Sequence, residues 1–190
     1  EYLDGQMHVF QGDCMPVPVL TNTIYPEALN FLNSNGNKLP AFLDEYAQNS
    51  VERFCTTASL LEQMDNGSKP QVSDLFKILD AAQRPDTIWK IIYDPISLRI
   101  HIKTQWDCSE KWIYINEFDF FDKTASFALD LQQCISGNLR SHFTEYTTDI
   151  NRQLIYSFFH HEMIRQVLKI ELPDELLEYL ASFPMQMGIA

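Results

Sequence analysis

The sequence predicts an α+β domain in which strands and helices alternate in blocks and pack as layers. Three observations point there. Short β-prone stretches cluster at residues 1–22 and 87–115. Apolar residues at three- and four-residue spacing occupy 26–33, 51–82 and 149–183. Apolar residues make up 45% of the 190, with 13 Phe and eight Tyr among them, enough to fill a sizeable core.

The first block reads as three strands. Asp4-Gly5 is a tight-turn dipeptide between Tyr2 and the alternating Met7-His8-Val9-Phe10, and Gly12-Asp13 marks a second turn. Pro16-Val17-Pro18-Val19-Leu20-Thr21-Asn22 then reads as a strand ending in a polar pair. A short helix over 26–33 follows, with Pro26 in its first turn, and then an Asn/Gly-rich loop over 33–37. Asn49-Ser50 reads as the start of a helix carrying Val51, Phe54, Ala58, Leu61 and Met64, stopped at Asp65-Asn66-Gly67-Ser68. Ser73 is the expected cap of the next helix, with Leu75, Phe76, Ile78, Leu79 and Ala82 on its apolar face.

Three β segments come next: 87–93 and 96–104 around Asp94-Pro95, then Lys111–Ile115, expected as successive antiparallel strands. From Ser126 onward the expectation is helical. Phe127, Leu129, Leu131 and Ile135 form a first buried face, Asp149–Ile170 the longest helix, and Leu176–Phe183 a last one opened by Pro173-Asp174-Glu175.

Charge and motifs restrict the function classes. A net charge of -12 repels phosphate backbones and anionic bilayers, so neither nucleic acid nor membrane is an expected partner. No run of 18 apolar residues is present. The opening Glu1-Tyr2-Leu3-Asp4-Gly5 reads as the middle of a hairpin, so the chain is expected to be a portion of something longer. Cys14, Cys55, Cys108 and Cys134 form no C-x-x-C pair; they suit small buried hydrophobes, and a single disulfide stays compatible with them. His160-His161-Glu162 lacks the second His four positions on that a zinc-binding helix needs, because Arg165 stands there. No phosphate-binding glycine loop and no G-x-S-x-G elbow occur, and no cofactor is expected.

Two candidate site residues remain. Asn22 brings two N–H donors to the end of the apolar stretch, where it either holds an oxyanion or simply ends the strand. Arg53 stands at a helix start, as a solvated surface residue or as part of a site. Their order along the chain carries a resemblance. Glu1-Tyr2-Leu3-Asp4-Gly5, Val19-Leu20-Thr21-Asn22, Ser50-Val51-Glu52-Arg53-Phe54 and Thr87 to Asp94 follow one another as the corresponding signatures do in the second half of the choloylglycine hydrolase and penicillin V acylase family, N-terminal nucleophile hydrolases of linear amides. The series spans residues 1–120. Ile24 stands where the family usually has Pro, and the segment between Asn22 and Arg53 is short.

The resemblance implies part of a layered αββα sandwich over residues 1–125, with a helical region at 126–190 packed on it. It implies an N-terminal cysteine upstream whose thiolate attacks the amide carbon, with its own α-amine as base. Asn22 would then donate to the oxyanion, and Arg53 would favour the ionised thiol. The implied partners are a small amide substrate and either the missing N-terminal half or a second copy, since cutting the sandwich exposes strand edges and an apolar face. A non-catalytic interaction domain with a hydrolase-like shell is the alternative.

Overall fold

The computed structural model of the chain describes residues 15–34, 44–64, 70–121 and 126–186. The hairpin expected before Cys14 and the Asn66-Gly67-Ser68 turn lie outside that set. The chain is mixed α+β. It divides into two compact units, Glu1–Ile92 and Tyr93–Ala190, where the sequence placed its seam at 125/126.

The first unit is helical: α1 (Tyr25–Asn33), α2 (Glu45–Met64) and α3 (Val72–Ala81). Pro26 sits in the first turn of α1, where a missing N–H costs nothing. α2 begins earlier than expected. Asp44 caps it, its Oδ1 accepting from Ala47 N at 2.8 Å, so Asn49 and Ser50 lie inside the helix. α3 starts at Gln71 rather than Ser73: Gln71 N donates to Asp74 Oδ2 at 3.3 Å. Val19, Tyr25, Ala28, Phe54 and Ala58 form one buried cluster, with Leu29, Leu32 and Leu61 packed against it.

The strand expected at Pro16–Asn22 does not form; the described part of that stretch is bends and coil. Pro16 and Pro18 remove alternate ladder donors. The remaining donors turn inward: Val19 N reaches Val17 O at 2.9 Å, a three-residue turn about Pro18, and Val17 N reaches Tyr25 Oη at 3.0 Å.

β1 (Trp89–Asp94) carries the chain across the seam. With β2 (Arg99–Thr104), β3 (Lys111–Tyr114) and β5 (Gly137–Asn138) it gives a four-stranded sheet in the order β1-β2-β3-β5. β2 and β3 pair antiparallel, Ile100 opposite Ile113. The turn before β2 is longer than Asp94-Pro95 suggested. Asp94 Oδ1 accepts from Ile96 N and Ser97 N, and Leu98 closes it at a φ of 52°. β5 joins parallel to β3, Lys111 opposite Gly137 and Trp112 opposite Asn138, which makes the sheet mixed. β4 (Phe127–Ala128) and β6 (Thr144–Glu145) form a small antiparallel ladder.

The helix expected from Ser126 is therefore absent. Its apolar residues at 127, 129 and 131 have period two, and Asp130 Oδ1 takes Gln132 N at 2.9 Å in a side-chain turn. The long helix expected over 149–170 is two: α4 (Thr148–His160) and α5 (Glu162–Leu168), parted at His161, which is extended (φ -65°, ψ 128°). The sequence carries neither Pro nor Gly there. α6 (Asp174–Gln186) packs on α4. Leu177 and Ala181 are buried, and Asn151 Nδ2 donates to Ala181 O at 2.7 Å and Leu180 O at 3.2 Å.

Candidate functional site

Asn22 and Arg53 meet within the first unit. Tyr25 makes this possible. Its hydroxyl donates to Val17 O at 2.8 Å and accepts from Val17 N, folding 17–25 back on itself. Its ring packs edge-on against Phe54 of α2, centroids 5.8 Å apart at 74°. Phe54 is 1% exposed, so it fixes the rotation of α2 about its axis. Arg53 precedes it by one residue, about 100° around the helix, and so leaves the core for the margin.

The Arg53 guanidinium is held as a fork. Nε donates to Asn49 Oδ1 at 3.1 Å, one turn earlier on the same face, and Nη2 donates to Asn22 Oδ1 at 3.1 Å. Asn22 itself is exposed. Its Nδ2 donates to no described residue, and its carbonyl is polarised by a cation. Such polarisation strengthens the amide's own N–H as a donor. Asp86 lies near enough to feel Arg53. Its carboxyl is held below the usual range, first by the two-pronged hydrogen bond from Arg84 and to a smaller extent by the Arg53 charge.

Three hydroxyls near this pair are buried and find no partner among the described residues: Thr21 Oγ1 and Thr23 Oγ1 flanking Asn22, and Ser50 Oγ one turn before Arg53. Ser50 is 0% exposed.

The pair does not line the groove found in this unit. That groove, about 700 Å³, is lined by Pro16, Val17, Pro18, Leu32, Ala58 and Leu61 among others, and includes neither Asn22 nor Arg53. Leu61 stands about 12 Å further along α2 than Arg53, at 1.5 Å of rise per residue.

The histidine pair is split by the helix break. His160 ends α4, stacked on Tyr156 with centroids 5.5 Å apart, while His161 is the extended residue before α5. Among the described residues no group of three or more His, Cys, Asp and Glu side chains is arranged to hold a metal ion. No described helix is long and apolar enough to cross a membrane.

Sequence reasoning passed over Asn49, which reads as a helix start but serves as the second prong for Arg53; the signal was its spacing of four. It also passed over a polar cluster in the second unit. Lys111, 1% exposed, donates to Asp107 Oδ2 at 2.8 Å and lies within 3.4 Å of Asp107 O and Ser109 O. Asp107 is thereby pushed far below the carboxylate range, first by Lys111 and then by Ser109. Next to it His101, also buried, donates from Nδ1 to Glu110 Oε1 at 2.7 Å. The signal was a Lys at the head of the Trp112-Ile113-Tyr114 run and a His between Ile100 and Ile102.

Compared with known proteins, the chain matches no family model and no curated protein.

Proposed function

We propose that this chain is the C-terminal portion of a cysteine amidohydrolase of the choloylglycine hydrolase and penicillin V acylase kind, contributing Asn22 and Arg53 to a site whose nucleophile lies upstream. The observation that carries the reading is the Arg53–Asn22 hydrogen bond across 31 positions. In this reading residues 1–125 are part of a layered αββα sandwich that the upstream half completes. An N-terminal thiolate attacks the amide carbon, and its α-amine shuttles the proton. Asn22 Nδ2 donates to the oxyanion of the tetrahedral intermediate, and Arg53 favours the thiolate. The reaction requires no cofactor. The substrate is a linear amide: a bile-acid conjugate, a phenoxyacetyl penicillin or an acyl-homoserine lactone.

The test uses the product of the complete reading frame beside these 190 residues alone. The full product is expected to hydrolyse one of the three amides, and the 190 residues none. Asn22→Ala in the full product lowers kcat about 10²–10³-fold, the usual loss for one oxyanion donor. Arg53→Gln moves the acid limb of the pH–rate profile upward, because the thiol loses a neighbouring cation. A full product inert towards all three amides, or an Asn22→Ala variant of unchanged kcat, overturns the reading.

One observation favours a second reading, a non-catalytic interaction domain. Leu154 and Phe158 on α4, and Met163 and Val167 on α5, are each more than half exposed. An apolar stripe of that kind marks a surface another protein covers.

A further inference from the structure

Two cysteines in the second unit stand on neighbouring segments, just ahead of one short parallel ladder. β5 pairs parallel to β3 with Lys111 opposite Gly137 and Trp112 opposite Asn138, a constant offset of 26 positions. The same offset separates Cys108 from Cys134. The two backbones stay together on the way back towards these cysteines. Gly137 N donates to Glu110 O at 3.1 Å, and Ser109 Oγ lies 3.4 Å from Ile135 O. Cys108 and Cys134 are the next residues before Ser109 and Ile135 on their own segments. Both are free thiols and both are exposed.

Both cysteines lie beyond the two-pair ladder, in turns: Ile135 N donates to Gln133 O at 2.9 Å about Cys134, and Ser109 N donates to Asp107 Oδ1 at 2.9 Å about Cys108. The Ser109–Ile135 and Glu110–Gly137 contacts hold the two turns beside each other, and a disulfide bridges Cα positions roughly 4.4–6.8 Å apart. Cys55, the remaining described free cysteine, belongs to the first unit and is partly buried, and burial pushes its thiol up.

We propose that Cys108 and Cys134 form a reversible intrachain disulfide that staples β5 to β3, closed by a disulfide oxidant such as glutathione disulfide and opened by the reduced thiol. In the closing direction one cysteine thiolate attacks a glutathione sulfur, and the first glutathione leaves as thiolate. The second cysteine attacks the protein sulfur of the mixed disulfide and expels the other glutathione. One S–S bond is broken and one formed, two protein thiols are oxidised, and their two protons pass to the two glutathiones. β3 and β5 share only two register pairs, so the bond would tie together a junction that few hydrogen bonds hold.

The test is thiol trapping across a series of glutathione buffers. After quenching with an alkylating agent and digesting with trypsin, residues 104–111 and 124–140 emerge as separate peptides from reduced chain, each with one cysteine. Under oxidising buffer they are expected to appear joined, two hydrogens lighter, while Cys55 stays alkylated. In denaturing urea the pairing preference disappears. Hydrogen exchange at the Gly137 and Leu139 amides slows at least tenfold on oxidation, and Cys108→Ser abolishes that slowing. The proposal is overturned if both thiols stay alkylated in the most oxidising buffer. It is equally overturned if they carry only glutathione, if they pair between chains, or if Cys55 or Cys14 takes either one as partner.

Discussion

Arg53 spends two of its donors on two carboxamides of the chain itself, Asn49 and Asn22, and this decides what each residue there is worth. Asn49 is a positioning residue, because it fixes the guanidinium without reaching the surface that Asn22 offers. Beneath the pair, Phe54 is the anchor: replacing it by Ala empties a tightly packed site and lowers unfolding free energy by about 3–5 kcal/mol. Ser50 behaves in the opposite way. Its hydroxyl is buried inside a helix without a partner among the described residues, so Ser50→Ala raises stability by about 1 kcal/mol, from better helix propensity and relief of the stranded polar atom. Urea denaturation of both variants measures these; a Ser50→Ala protein less stable than the parent shows that the hydroxyl has a partner. The meeting of Asn22 with Arg53 was expected from the order of short motifs, although the strand meant to present Asn22 is not there. Tyr25 does that work, and a tyrosine hydroxyl gripping both polar atoms of one residue eight positions back leaves no pattern to read.

At the scale of elements, α1 to α3 and β1 to β3 were legible because spacing and breakers agreed. Misreadings came where two signals conflicted. Pro16-Val17-Pro18-Val19 has the apolar content of a strand without its donors, and Phe127, Leu129 and Leu131 follow the period of a strand among residues that favour helix. Two contacts bind elements by buried polar groups, and each makes a prediction. Asn151 joins α4 to α6, so Asn151→Ala costs about 1–3 kcal/mol by stranding the groups it served, among them Tyr146 Oη. Asp107 is ionised more readily in the fold than in the open chain, because Lys111 and Ser109 favour its charged form. Its contribution to stability is therefore complete above the ordinary carboxylate range, near pH 4, and is lost as pH falls below it. Urea midpoints at pH 7 and pH 3 should differ less in Asp107→Asn than in the parent; an unchanged difference removes Asp107 from the acid response.

For the molecule as a whole, the exposed stripe on α4 and α5 and the net charge of -12 pull in opposite directions. Apolar faces attract, while like-charged copies repel over about 8–10 Å at ordinary salt. Self-association is expected to strengthen as salt is added, and the double variant Met163→Glu, Val167→Glu to remain monomeric throughout. Sedimentation equilibrium across a salt series measures both, and a monomer at every salt concentration would leave the stripe to a different protein. The composition announced a well-filled core, but which apolar residues stay outside depends on where α4 breaks. No residue between His160 and Glu162 marks that break in the sequence.

Lys111 has its ammonium enclosed by the oxygens of its own turn. Amine-directed reagents in solution reach it only during moments when that turn comes apart. The rate at which Lys111 acquires an acetyl tag, set against the exposed Lys77, would thus serve as an internal clock for the opening of the β2–β3 hairpin.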